Sequence, residues 1–351
     1  MSASAFIIWL CMATAAMAQG FAELGKSVDG FAVPRTDAPL VFPQDHGPHP
    51  SYRIEWWYVT ANLQSADGAE YGAQWTLFRN SLAPSGGSGW STPELWLGHA
   101  GLTTKAHQFV AERQARGGIG QAGVTPAPFN AWIDNWQMKG SDTPSADAIA
   151  KLDISASGED FSYALNLDAE GPVVAQGEAG FSLKSSEGQA SFYYSQPFYR
   201  VAGMLSLPEG EVKVTGKAWL DHEWSSQPLS AGQRGWDWFS LHFDGGEKLM
   251  GFRLRDAGTG FTSATWIAAD GKPEPQLPGA LKVTPLKSAE VQGRKLPVSW
   301  RIELPAHKLD VTTTALNPYA WMTTRIPYWE GPVHFSGSHP GEGYVEMTGY
   351  E

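Results

Sequence analysis

The chain has 351 residues, 42% hydrophobic and 17% charged, with 39 Gly and 24 Pro; this composition describes a folded globular protein and excludes a disordered or low-complexity one. The 25 Lys and Arg against 36 Asp and Glu leave a formal charge of -11, and no basic cluster is present to neutralise a run of phosphates, so nucleic acid is not an expected partner. The 16 Trp outnumber the 11 Tyr, which puts large, flat, weakly polar surfaces either into wide cores or around a ligand.

The chain opens with MSASAFIIWLCMATAAMAQG. Its apolar stretch over 6–16 is followed by Ala16-Met17-Ala18, the small-x-small pattern that a signal peptidase cuts. The expectation is a cleavable signal peptide over 1–18, cut after Ala18, and a periplasmic or secreted mature protein. The stretch is too short to span a bilayer, and no transmembrane segment is expected in the mature chain. Cys11 is the single cysteine, so the mature chain offers no disulfide, thiol nucleophile or thiolate metal site.

Next, Asp45-His46-Gly47-Pro48-His49-Pro50 reads as an ordered entry loop or as a cover for a barrel mouth. Beyond it a period of two dominates. YRIEWWYVTANL, AEYGAQWTLFRN, ELWLGHAGLTT, FSYALNLDAE, EGEVKVTGKAWLDHEW, GWDWFSLHF, KLMGFRLRD and PVSWRIEL all read as strands, rich in aromatic and β-branched residues. ADGAE (66–70) and DGGEK (244–248) are hairpin signals. The nearest approach to an amphipathic helix, 107–116, has too few apolar positions at helical spacing and ends in Gly117-Gly118. The fold class is therefore all-β, as antiparallel sandwiches or barrels.

A weak repeat divides the chain. Glu55-Trp56-Trp57-Tyr58 begins a hairpin that returns with Arg79, and Trp236-Asp237-Trp238-Phe239 begins one that returns with Arg253. VTGKAWLDHEW closes the first half and GEGYVEMTGY the second. Two similar domains are expected, 40–226 and 227–351, meeting in the polar stretch 225–235 with Pro228, Gly232 and Gly235.

Three clusters carry candidate chemistry. In the first, strand alternation puts Glu55 and Trp57 on one face and Trp56 and Tyr58 on the other. A desolvated Glu55 would hold a proton near neutrality; the alternative is a carboxylate paired with Arg79. In the second, Trp219, Asp221 and Glu223 share one face and Leu220, His222 and Trp224 the other. Adjacent strand residues point apart and no second His follows at ligand spacing, so no metal is expected. Burying three ionisable residues in a row is costly, which suggests a polar site at the end of a barrel. In the third, Asp237 lies between Trp236 and Trp238 in sequence, either as a proton donor whose neighbouring indoles could face a developing cation or as a turn cap in an interface. His99 alternates with Leu95 and Leu97, in a core or lining a cavity. No GxSxG, HExxH, P-loop or dinucleotide fingerprint occurs, and no cofactor is expected.

HPSYRIEWWYVTANL with YGAQWTLFR, then LGHAGL, FYYS, VTGKAWLDHEWSS, GWDWFSL and GEGYVEMTGY, in this order over about 45–351, together resemble the carotenoid 1,2-hydratase and AttH-like family of lipocalin-type proteins. The resemblance implies two tandem lipocalin-like antiparallel β-barrel domains packed together and a hydrophobic isoprenoid- or lipid-like ligand. It implies acid-catalysed hydration of a C=C bond, in which an acid protonates the alkene and water attacks the resulting cation. Asp237 would be the acid, His222 and Trp224 would orient water and shield the cation, and Glu55 would be the second acid. Trp57, Tyr58, Trp236, Trp238, His99, Arg79 and Tyr194 complete the expected substrate-binding set. The alternative is a lipid- or amphiphile-binding protein accessory to an ABC-type exporter permease, with its acids ion-paired to arginines. A third reading is an envelope protein with exposed aromatics and no cavity.

Overall fold

Alternating aromatic and β-branched residues separated by Gly, Asp and Pro turns become, in the computed structural model, two antiparallel sheets. Residues 29–141, 147–227, 229–230 and 232–350 are described; the leader expected over 1–18 lies outside them. The first sheet comprises β1 (Ile54–Ser65), β2 (Glu70–Ser81), β3 (Glu94–Thr104), β4 (Gln108–Arg116), β5 (Ala122–Pro126), β6 (Phe129–Ile133), β7 (Trp136–Gly140), β8 (Lys151–Ser157), β9 (Ser162–Ala169), β10 (Val174–Ala175), β11 (Phe181–Leu183), β12 (Ala190–Leu207) and β13 (Gly210–Ser225). The second comprises β14 (Gly235–Phe243), β15 (Lys248–Arg255), β16 (Phe261–Ile267), β17 (Pro273–Pro275), β18 (Lys282–Val291), β19 (Arg294–Leu304), β20 (Leu309–Ala315), β21 (Trp321–Met322), β22 (Tyr328–Gly337) and β23 (Gly341–Met347). The weak helical candidate is strand β4, and both hairpin signals fall at turns, between β1 and β2 and between β14 and β15.

The strand order is β4-β3-β2-β1-β13-β12-β9-β8-β7-β6-β5 in the first sheet, with β10 and β11 on β12, and β17-β16-β15-β14-β23-β22-β20-β19-β18 in the second, with β21 on β22. Each sheet curls around its own core, giving two lipocalin-like barrels. In the first, Gly98 on β3 approaches the far wall so closely that a Cβ would stand 2.7 Å from Ile133 on β6. The repeat is visible in register: Glu55 pairs with Arg79 across β1 and β2, and Asp237 with Arg253 across β14 and β15.

Three apolar cores result. Trp57, Trp75, Trp96, Trp136 and Trp224 fill the first barrel, and Phe239, Leu241, Trp300 and Trp329 the second. The third lies between the outer faces of the barrels and contains Tyr58, Tyr193, Trp219, Trp238, Phe252 and Tyr344. Strand β1 serves two of them. Its odd-numbered residues Trp57, Val59, Ala61 and Leu63 point into the barrel, while Trp56 and Tyr58 pack toward the second sheet. With both faces covered, β1 shows no alternation in burial. The sheets meet tightly at Gly72, where a Cβ would come within 2.6 Å of Pro332 and 2.7 Å of the Tyr344 hydroxyl, so this position excludes any side chain.

Candidate functional site

Because β1 and β13 are covered on both faces, their ionisable residues fall into two separate buried clusters. The first is at the end of the first barrel. Register places Glu55 beside Trp224 and Arg79, and His222 beside Trp57. Glu55 Oε2 accepts from Arg79 Nε and from the His49 backbone N–H, each at 2.9 Å. Glu55 Oε1 lies 2.6 Å from His49 Nδ1 and 2.9 Å from His222 Nε2. His49 also reaches Asp45, 3.1 Å from Nε2, and stacks on Trp224 with centroids 3.8 Å apart. An ionised carboxylate only accepts, so His222 Nε2 carries the proton toward Glu55. Its Nδ1 then accepts from the Tyr194 hydroxyl at 3.1 Å, and His46 Nδ1, 2.7 Å away, donates to the Tyr194 oxygen.

Each carboxylate of this cluster meets a cation, Glu94 included, 3.3 Å from Arg79. Burial pushes Glu55 up, but His222, His49 and Arg79 outweigh it and hold the carboxyl well below the usual range. Burial pushes His49 down, yet Asp45 and Glu55 raise it to about 9. Burial, with His222 nearby, lowers His46 to about 3. The acceptor and ring nitrogens of His49, Glu55 and His222 all lie within 4.8 Å of one another, a set with metal-like composition. Glu55 Oε1 stands at hydrogen-bonding distance from both rings, closer than the ~3.4 Å edge of a tetrahedron whose ligands lie about 2.1 Å from one ion, and Arg79 also pairs with Glu55. As arranged, the set closes upon itself.

The second cluster surrounds a cavity of about 110 Å³ between the barrels. Trp56, Phe78 and Leu97 line it from the first sheet, and Trp236, Trp238, Phe252 and Leu254 from the second. Two cross-strand rows supply its polar groups. One runs His99, Thr76, Tyr58, Asp221, Ser195 across β3, β2, β1, β13 and β12. The other runs Phe252, Trp238, Glu346, Glu330 across β15, β14, β23 and β22. The Tyr58 hydroxyl joins the rows by donating to Glu330 Oε1.

No ion pair reaches Asp221, Glu330 or Glu346 among the described residues; the neighbouring Lys184 is held by Glu223 at 2.6 Å. Burial raises Asp221 and Glu346 each to about 7. Burial, together with Glu346 across the strand, pushes Glu330 far above the usual carboxyl range. The surroundings of the acids nevertheless differ. Asp221 receives three donors: Tyr193 and Ser195 hydroxyls at 2.5 Å and Trp219 Nε1 at 2.6 Å. Trp238 Nε1 donates to the Tyr193 oxygen at 3.1 Å and Gln176 to the Ser195 oxygen at 2.8 Å, which aims both hydroxyl protons at Asp221. That arrangement favours the anion. Glu346 accepts from Trp236 Nε1 at 2.5 Å, is also in contact with the Tyr58 hydroxyl, and faces other carboxyls, so it has fewer donors than Asp221. An apolar chamber thus contains two carboxyls that burial raises and that differ in their hydrogen-bond donors.

The residues named from sequence divide between these places. Glu55, Trp57, Arg79, Tyr194, His222 and Trp224 assemble at the barrel end, with Glu55 and Arg79 also touching the cavity wall. Tyr58, His99, Trp236 and Trp238 line the cavity. Asp237 points away from its two flanking indoles, into Arg253 at 2.8 Å, Arg255 at 3.4 Å and the Tyr350 hydroxyl at 2.8 Å. Asp237 and His222 therefore do not converge. Sequence reasoning did not single out Glu330, Glu346, Tyr193, Ser195 or Lys184, and gave Asp221 no role, although alternation had already separated Asp221 from His222.

Tandem lipocalin-like barrels enclosing a carboxyl-lined apolar cavity between their outer faces define the class of protein. The chain belongs to the AttH-like family, whose model matches residues 33–350. It is similar to a solved protein described as an AttH from Nitrosomonas europaea, 30% identical, with 92% of this chain and 100% of that one covered and a TM-score of 0.80. The fold is shared with kievitone hydratase from Nectria haematococca, 19% identical, with 93% and 98% covered and a TM-score of 0.68. Among curated proteins, none matches the sequence.

Proposed function

We propose that this protein hydrates a C=C bond of a hydrophobic, isoprenoid-like substrate by acid–base catalysis in the inter-barrel cavity. One observation supports the reading: Glu346 and Asp221 face the same aromatic chamber, burial raises both, and among the described residues neither has a cationic partner, Asp221 having three hydrogen-bond donors and Glu346 fewer. Glu346 gives its proton to one alkene carbon, leaving a cation that the faces of Trp56 and Trp238 shield. Water attacks that cation and passes a proton to Asp221. A relative by fold is named a hydratase, which supports this reaction class. A cavity of about 110 Å³ is smaller than the ~150 Å³ that admits benzene, so it accommodates a branched alkene end while the rest of the substrate extends outward. We place the reaction in the periplasm or outside the cell, on the leader pattern over 1–18.

The carrier reading, loading an amphiphile for an ABC-type exporter, draws support from the arginine pairing of Glu55 and Asp237. The small chamber and its unpaired acids favour the enzyme. The test is incubation with a prenyl-substituted phenol and with linear isoprenoids in ¹⁸O-labelled water, followed by mass spectrometry. The expected product carries one labelled water, and Glu346→Gln lowers its rate by about 10²–10⁴-fold while folded Asp237→Asn retains it. No product from the wild type, or equal product from Glu346→Gln, contradicts the proposal.

A further inference from the structure

We propose that Glu112, His99 and Tyr328 form the path by which protons pass between solvent and the buried Glu330–Glu346 pair. The inference rests on the hydratase reading for its purpose, because each turnover of that reaction moves one proton from Glu346 to Asp221, so that before the next turnover Asp221 must release a proton to solvent and Glu346 must take one up. The cavity walls beside Glu346 are largely aromatic, and His99, Tyr58 and Tyr328 are among the polar groups that line them.

The groups that face one another form an unbroken series. Glu112, whose side chain is 24% exposed, lies 3.4 Å from His99 Nε2. His99 Nδ1 lies 3.0 Å from the Tyr328 hydroxyl. Tyr328 faces Glu330, and the Tyr58 hydroxyl contacts both Glu330 and Glu346. Around His99 stand the edge of the Phe78 ring, with centroids 5.1 Å apart, and the Tyr328 ring stacked at 5.7 Å. Its two ring nitrogens thus point to different oxygen atoms, one near the surface and one deep, as a shuttle requires. Glu112 is fixed at the outer end by the Arg325 backbone N–H, which donates to it at 3.0 Å.

The transfer conserves protons at every step. A proton taken up from solvent passes through Glu112, which His99 holds below its ordinary range, to His99 Nε2 as Nδ1 releases its own to the Tyr328 oxygen. Tyr328 passes its hydroxyl proton to Glu330. The Tyr58 hydroxyl, which rests on Glu330 Oε1, turns to give its proton to Glu346 as the Glu330 carboxyl proton moves to the Tyr58 oxygen. One proton has entered, and rotation of the hydroxyls with a change of His99 tautomer resets the series. His99 and Tyr328 are positioning and relay groups, distinct from the acid that meets substrate.

The test needs no substrate. A rapid pH drop applied to the full chain converts Glu346 to its acid, followed by infrared absorption of the carboxylic C=O band, which Glu346→Gln identifies by removing it. Wild type is expected to load quickly. His99→Ala and His99→Gln are expected to load more slowly by roughly ten-fold or more, and added imidazole should restore His99→Ala. His99→Gln retains a hydrogen-bonding side chain without the imidazole's pair of exchangeable nitrogens, which separates proton transfer from packing. Wild-type loading rates in both variants, or a slowed His99→Ala beside an unaffected His99→Gln, overturn the path. Loss of labelled-water incorporation with slowed loading intact would instead count against the hydratase reading alone.

Discussion

Asp221 and His222 are consecutive in β13 and equally buried, yet they belong to clusters of opposite character. On the His222 side every carboxylate meets a cation: Glu55 and Asp45 are met by Arg79 and His49 at 2.6 to 3.1 Å, and Glu94 by Arg79 at 3.3 Å. On the Asp221 side, Asp221 and Glu346 line an apolar chamber and Glu330 lies beside Glu346 on the next strand, with donors but, among the described residues, no cation paired to the three. A buried charge cluster that is neutralised holds a fold together, because removing one member strands another. Buried acids left without counter-charge keep protons near neutrality, which is the state acid catalysis needs. The contrast separates the architecture of the barrel end from the chemistry of the interface, although the same two strands build both.

The largest expected effect on stability comes from breaking the paired cluster. Arg79→Met leaves Glu55 buried without its guanidinium and should lower the unfolding free energy by about 3–5 kcal/mol, read by urea denaturation. A loss below about 1 kcal/mol would show that the cluster does not hold the barrel end. A smaller, pH-limited effect is expected at His49. Its folded-state value of about 9 lies above the ordinary 6.5, so its contribution is complete below about 6.5 and fades as pH rises to about 9. His49→Gln should abolish that limb of the stability curve while leaving the acid limb in place. A variant that keeps the full alkaline limb would assign it to another group.

Much of the fold was legible because strand alternation and turn residues are local signals. GWDWFSLHF and ELWLGHAGLTT coincide with β14 and β3, and the repeat of a carboxylate strand with an arginine strand appears as matched register. The lipocalin-like expectation and the family resemblance agree with the observed sheets and the family match. The site was legible only in part. Asp237 drew attention because two tryptophans flank it, but in a strand those neighbours face the other way, and Arg253 with Arg255 occupies its own side. Glu346 stands in GEGYVEMTGY with nothing local to mark it. Its importance arises from pairing with Trp238 and Glu330 across two strands and from meeting the outer face of the other barrel. Which face of β13 would be covered by a second sheet is a tertiary fact, and it decided between His222 and Asp221.

The central claim is that Glu346 holds a proton around neutrality. Its folded-state value of about 7 lies above the ordinary 4.5, so the folded protein retains a proton that the unfolded chain has released, and stability falls as pH rises between these values. The most direct measurement is the unfolding free energy of wild type and Glu346→Gln across that interval. The account predicts that the variant gains steadily on the wild type from about pH 4.5 to about pH 7 and then runs parallel to it. A difference that stays constant over the interval would mean that Glu346 is ionised throughout, and would contradict its assignment as the acid.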